Sequence, residues 1–227
     1  MGLNKVKIGS NMYQFLNEMS DGNGYTWNVI KGKCPHDCVY CYMKIYKQPE
    51  LHFDESELKT DLGHGNFIFV GSSCDMWADA VSLERIERVL EHCKIYQNEY
   101  LFQSKNPMNF NRHIFPQASV LGTTIESNRS YPEISKAPDC TVRMAALCGL
   151  SLPKMVSIEP IMDFDLDVLV RWIQEIKPQF VSIGADSKGH NLPEPSPDKV
   201  NELIKELRQI TTVKIKDNLK RLAPAAH

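Results

Sequence analysis

No stretch of this 227-residue chain approaches the roughly 18 consecutive apolar residues that a membrane-spanning helix needs. No sequence repeat is present, which argues against a solenoid or propeller. No glycine-rich phosphate loop is present either, which removes the commonest nucleotide-triphosphate site. No linker splits the chain, so one domain over residues 1–227 is expected. Neither sign of charge dominates: 26 Lys and Arg stand against 28 Asp and Glu, a formal net charge of −2. That balance argues against a protein that coats nucleic acid by electrostatics alone. The opening residues, MGLNKVKIGSNMYQF, lack the apolar core of an export signal, so a cytoplasmic protein without membrane contact is expected.

What remains is ordinary globular composition, with 42% hydrophobic and 24% charged residues. Seven short β-rich runs recur: Tyr25–Ile30, Phe67–Gly71, Tyr100–Ser104, Ser119–Ile125, Met155–Ile158, Phe180–Gly184 and Thr212–Lys216. Several are continuously apolar, as strands buried on both faces of a parallel sheet would be. Helical patterns lie between them. Leu83, Ile86, Leu90 and Cys93 recur at helical spacing after the capping candidate Ser82. A stripe from Leu166 to Ile176 stops before Pro178, and another from Val200 to Leu207 opens with Ser196 and Pro197. Asp139–Cys148 reads as a helix closed by Gly149.

This alternation implies an α/β fold with a parallel sheet. Two architectures fit: a partial or complete α/β barrel, or a doubly wound open sheet. Either binds ligands at the carboxyl ends of the strands. The segments Lys47–Asn66 and His190–Pro197 are irregular and are candidate lids or substrate loops.

The seven cysteines are an odd number in a chain without an export signal, which suits reduced thiols better than a disulfide framework. Cys34, Cys38 and Cys41 fall within eight residues, in the run Cys34-Pro-His-Asp-Cys38-Val-Tyr-Cys41. Three thiolates at C-x3-C-x2-C spacing can each hold one iron of a [4Fe–4S] cube and leave the fourth iron open. An open iron can be chelated by the amine and carboxylate of S-adenosylmethionine. Zinc is the alternative, but it wants four ligands and usually two separated pairs. No second C-x2-C exists, so its fourth ligand would be His36, His52 or a distant cysteine.

This run resembles the signature of the radical S-adenosylmethionine superfamily, including the aromatic Tyr40 before the third cysteine and its place after the first strand. With Thr26-Trp-Asn near that strand and Tyr42 after Cys41, the chain looks like small phage and prokaryotic members of the superfamily with no settled activity. More distantly it looks like the spore photoproduct lyase group. The resemblance implies a partial (β/α) TIM-type barrel with about six or seven parallel strands. It implies a [4Fe–4S] cluster on Cys34, Cys38 and Cys41, S-adenosylmethionine as co-substrate, and an external electron donor of flavodoxin or ferredoxin type. Reductive cleavage would give a 5′-deoxyadenosyl radical that abstracts hydrogen from a substrate. The substrate is not legible; the leaning is to a nucleotide or nucleic acid. The competing expectation is a non-catalytic binding module with a structural zinc or a redox-sensing cluster.

The resemblance also directs attention to the strand ends. Ser72 and Ser73 would face the amino group of the methionine moiety, and Tyr40 would lie against the cofactor. Lys105 would pair with the methionine carboxylate. Thr124, Glu126 and Asn128 are ribose candidates, and Arg143 is either a second carboxylate contact or a surface ion pair. Related small proteins carry Ser where this chain has Cys74. That thiol is a candidate hydrogen-atom donor, a replacement contact, or a small buried strand-end residue. Glu159 and Asp186 close two strands and are candidate contacts at the barrel mouth, with Asn191 and Lys216 as weaker ones. Gly184 would let the backbone approach adenine.

Other features read as bland. Asp163, Asp165 and Asp167 alternate like a calcium loop but lack its glycine and precede a helix. Cys93, Cys140 and Cys148 fall on helical patterns and are expected to be buried, while His92 and His113 are expected at the surface. Lys31, Lys33, Lys44 and Lys47 stand against Asp37 alone between residues 31 and 47, and either steer an anion or form a solvated face.

Overall fold

A computed structural model describes residues 2–7, 15, 16, 20 and 22–224. The strands are β1 (Asn4–Lys5), β2 (Gly24–Trp27), β3 (Ile30–Lys31), β4 (His52–Phe53), β5 (Phe67–Val70), β6 (Glu99–Ser104), β7 (Ser119–Thr124), β8 (Lys154–Ile158), β9 (Phe180–Ile183) and β10 (Thr212–Ile215). Eight of them form one sheet in the order β1-β2-β5-β6-β7-β8-β9-β10. Seven are parallel, and β1 runs antiparallel to β2. β1 and β10 are not paired with each other, so the sheet is open.

The α-helices are α1 (Leu83–Lys94), α2 (Cys140–Cys148), α3 (Leu166–Ile176) and α4 (Pro197–Leu207). Their ends follow local chemistry. Ser82 accepts a hydrogen bond from Arg85 N, Asp139 from Thr141 N and Ser196 from Lys199 N, which satisfies amides left free at each N-terminus. Lys177 adopts φ 53° to stop α3 ahead of Pro178.

The parallel strands follow one another without reversal, which a doubly wound sheet does not allow. Right-handed crossovers in unreversed order carry their helices to one face. Ile68, Phe102, Val156 and Val181 accordingly share a buried core with Ile86, Leu169 and Leu203 of the helices. Alternate residues point to the opposite face. There Phe67, Leu101, Val120, Met155 and Phe180 close a second, smaller core with Phe15 and Leu16. One step further along the strands that face turns polar, with Gln103, Thr124 and Ser157 bordering a cavity.

Several expectations need correction. The first expected strand breaks after Trp27, and Ile30–Lys31 pairs instead with His52–Phe53 as a small antiparallel ribbon. The segment Lys47–Asn66 therefore is not wholly irregular; it also holds a 3₁₀ turn at Glu55–Lys59. Helix does not alternate with strand throughout. Between β6 and β7 the described chain uses a 3₁₀ turn, Pro107–Arg112, where proline and the preceding asparagine set a tight turn. His113 is no surface residue: its side chain is 1% exposed and contacts Glu87 at 2.5 Å. His92 is half-buried, bonded to Thr60 O at 2.8 Å and packed at a tilt against the Trp27 ring. Among the described residues no helix is long and apolar enough to cross a membrane.

Candidate functional site

β2 and β5 are neighbours in register, with Trp27 opposite Val70. The loops that follow them therefore begin side by side. The first carries Cys34, Cys38 and Cys41; the second is Gly71-Ser72-Ser73-Cys74-Asp75. All four cysteines border one cavity of about 430 Å³ at the carboxyl edge of the sheet. That volume falls within the roughly 300–1,000 Å³ typical of small-molecule sites.

The cysteine loop is tied down at several points. Asn28 Oδ1 accepts from Ser73 N at 2.8 Å and from Ser72 Oγ at 3.3 Å. The Tyr42 hydroxyl donates to Ser72 O at 2.7 Å. The 134–136 segment straps the loop from the other side: Val39 N donates to Ile134 O at 2.9 Å and Lys136 N to His36 O at 2.7 Å. Ser135 Oγ lies 3.1 Å from Cys38 Sγ. His36 is buried and hydrogen-bonded to Asp75 Oδ2 at 2.8 Å. Asp75 also accepts from Ser104 Oγ, Lys105 N and Trp77 N. Burial pushes the Asp75 carboxyl up, but the His36 bond and charge, with those two amides, outweigh it and leave the group below its ordinary range.

All seven cysteines are free thiols. Cys34 and Cys74 border the same cavity. The influence of Cys74 overcomes burial and lowers the Cys34 thiol to about 6, while Cys34 and burial push Cys74 up. Cys41 is raised, chiefly by burial. Among the described residues no three His, Cys, Asp or Glu side chains converge on a single metal ion. A zinc site needs that convergence. A cube needs less, because each thiolate binds a different iron and the sulfurs stand further apart. Free thiols on one loop, bordering one cavity, fit the cube's donor set.

Lys105, at the end of β6, also borders the cavity. Its Nζ lies 3.6 Å from Glu126 Oε1, beyond hydrogen-bond length, and over the Tyr40 ring at 5.4 Å from the centroid. Burial disfavours its charge, but Glu126 and Cys38 more than restore it. Thr124 accepts from Gln103 Nε2 at 3.1 Å on the cavity floor. Ser72, Ser73 and Tyr40 border the same space. On the opposite wall Lys216 is ion-paired with Glu159, and Asp186 accepts from His190 N and Lys188 N. His190 Nδ1 and Asp186 Oδ1 stand 2.6 Å apart.

Five candidates lie elsewhere. Glu126 is buried beneath the cavity, and its carboxylate is taken by the Tyr40 hydroxyl, Arg143 Nη1 at 2.8 Å and the Cys140 thiol at 3.3 Å. It therefore makes no ribose contact here. Arg143 is its buried partner, neither a surface ion pair nor a residue of the cysteine cavity. Asn128 binds Asp165 at the start of α3 through both its amide atoms. Gly184 is not at the cavity surface. A Cβ there would fall 2.7 Å from Glu159 Oε1 and 2.9 Å from Asn218 Oδ1, so the glycine admits side chains of this chain rather than a base. Asn191 sits at φ 54° in the loop beyond His190.

The lysines near the loop are largely neutralised. Lys31 meets Asp54 and Glu57, Lys33 meets Glu50, and Lys44 meets Asp37. Asp163 and Asp165 pair with Arg129, and Lys199 with Asp163, so the acidic run is spent on ion pairs at a helix start. Sequence reasoning named His36 only as a possible zinc ligand and Asn28 only within the Thr26-Trp-Asn run, and gave neither its place in tying down the loop. Gln103 it missed, since nothing marks that residue without the strand order. It also missed that a fourth cysteine joins the cluster loop, because 33 positions separate Cys74 from Cys41. No protein-family model and no curated protein matches the chain.

Proposed function

We propose that this protein is a radical S-adenosylmethionine enzyme built on a partial α/β barrel. One observation carries the reading: Cys34, Cys38 and Cys41 share a single cavity with Lys105 and Thr124 at the carboxyl edge of an unreversed parallel sheet. The unreversed order and the apolar plug on the inner face support the barrel form.

A [4Fe–4S] cluster with S-adenosylmethionine supplies an electron to the sulfonium and so a carbon-centred radical. The chain's part is to bind, orient and shield. Cys34, Cys38 and Cys41 hold three irons. Lys105, charged and without a hydrogen-bonded carboxylate, receives the methionine carboxylate. Ser72 and Ser73 border the amino end, and Thr124 offers a hydroxyl to the ribose. Tyr40 walls the cluster from the Glu126–Arg143 pair. Glu159, Lys216 and the Asp186–His190 pair form the wall that meets the second substrate. The neutralised lysines give little support to the nucleic-acid leaning. The electron comes from an external donor of flavodoxin or ferredoxin type. Reduced thiols and a cluster of this kind suit a cytoplasmic setting.

Anaerobic reconstitution is expected to give brown protein with four irons per chain, which releases 5′-deoxyadenosine on reduction with S-adenosylmethionine. Cys38→Ala is expected to lose both properties. Cleavage surviving that substitution would remove the reading. A second reading, a closed non-catalytic redox cluster, draws on one observation: Cys74 borders the same cavity as Cys34, Cys38 and Cys41. It is expected to show four irons and no response to S-adenosylmethionine.

A further inference from the structure

A second cavity, of about 350 Å³, lies against the 134–136 strap that holds the cysteine loop. It shares no bordering residue with the cysteine cavity. Its volume suits a small molecule. Pro132, Ile134 and Met162 give it an apolar side. Three cationic residues, Arg129, Lys136 and Arg143, border it against two acids, Glu126 and Asp139. The N-terminus of α2 also opens here with Cys140, which adds a partial positive charge.

The three cations are not equivalent. Arg129 is taken by Asp163 and Asp165, and the exposed Lys136 by Asp37. Arg143 is only 4% exposed. Its Nε donates to Pro138 O at 2.6 Å, and its Nη1 to Thr124 O at 3.0 Å and Glu126 Oε2 at 2.8 Å. Its Nη2 makes no hydrogen bond and yet is not sealed from solvent, so it opens on the cavity that Arg143 borders. A guanidinium keeps its charge and all its donors, so this nitrogen holds unspent N–H groups on an otherwise buried side chain.

We infer that this cavity binds a small organic acid, whose carboxylate accepts from Arg143 Nη2 while its apolar body lies against Ile134 and Met162. A charge-assisted bond of this kind favours a carboxylate over a neutral acceptor. The occupant braces the cysteine loop from behind. Ile134 O accepts from Val39 N, Lys136 N donates to His36 O, and Ser135 Oγ lies 3.1 Å from Cys38 Sγ, so the residues that border the ligand also hold the loop. The inference does not depend on what the cysteines bind.

The test uses the full chain with isotope-labelled methionine and isoleucine methyl groups, titrated with benzoate and with its neutral isostere benzamide at constant ionic strength. Benzoate is expected to shift the Met162 and Ile134 methyl resonances to saturation, several-fold more tightly than benzamide. Hydrogen exchange at the Val39 and Lys136 amides is expected to slow several-fold when benzoate is bound. Arg143→Lys keeps the charge facing Glu126 and removes Nη2, and Ala137→Phe fills the cavity from the strap. Both are expected to weaken benzoate several-fold. The Met155 methyl, in the second core, reports whether each variant is folded, and Ala137→Phe decides if Arg143→Lys is not. No saturable shift, equal affinity for benzoate and benzamide, or unweakened binding in the folded variants overturns the carboxylate site. Saturable binding that leaves both amides unchanged overturns the brace. Displacement of benzoate by S-adenosylhomocysteine overturns a separate site and joins the cavity to the one the cysteines border.

Discussion

His36 Nε2 and Asp75 Oδ2 stand 2.8 Å apart, and both residues are nearly inaccessible to solvent. This contact joins the cysteine loop to the end of β5. Through Asp75 it reaches the backbone of Lys105 at 2.8 Å, so three strand ends share one carboxylate. Asp75→Ala leaves His36 and two amides without a buried acceptor. Each buried donor left without its acceptor costs roughly 1–3 kcal/mol. A lowered urea midpoint and reduced iron content are expected together; an unchanged midpoint would show that Asp75 does not organise the loop.

Glu126 yields a pH prediction. Burial pushes its carboxyl up, but Lys105 and Arg143, with the Tyr40 hydroxyl, hold it below its ordinary range. A carboxyl whose folded pKa is depressed contributes stability that is present above its unfolded value, roughly 4.3, and is lost as pH falls through the lower folded value. Glu126→Gln is therefore expected to be destabilised at neutral pH. The gap from wild type should narrow steadily below about pH 4. Urea denaturation of both proteins from pH 3 to 7 measures it, and a gap independent of pH would contradict the assignment.

Lys105→Met separates cluster binding from nucleotide binding. Iron content is expected to be unchanged, because Lys105 makes no bond to the cysteines. A hydrogen bond to a charged group is worth about 1.5–3 kcal/mol, so affinity for S-adenosylmethionine should fall roughly ten- to a hundredfold. Equilibrium dialysis with labelled nucleotide reads the change. Unaltered affinity would move the carboxylate contact elsewhere.

Two glycines are expected to be intolerant for different reasons. Gly32 sits at φ 100° between β3 and Cys34, and a Cβ there would fall 2.7 Å from the carbonyl carbon of Glu50. Gly32→Ala combines a left-handed backbone with a clash against main chain, a strain of roughly 1–3 kcal/mol or more. It should displace the cysteine loop and lower iron content. Gly184→Ala meets only side-chain atoms of Glu159 and Asn218. Overpacking of about 1–3 kcal/mol is expected in thermal melts, with iron content retained. Equal iron loss in both would refute the distinction.

The sequence by itself determined the local elements. Continuous apolar runs such as Phe67–Val70 and Phe180–Ile183 mark buried parallel strands, and Ser82, Asp139 and Ser196 mark helix starts, because caps and periodicity are short-range. The C-x3-C-x2-C spacing is equally local. What only the tertiary structure decided depends on which strand lies beside which. Adjacency of β2 and β5 brings Cys74 to the cavity that Cys34 borders and His36 to Asp75, placements that no spacing encodes. Glu126 and Arg143 read as cavity or surface residues from their positions alone. The fold buries both outside the cysteine cavity, where each charge has the other at 2.8 Å.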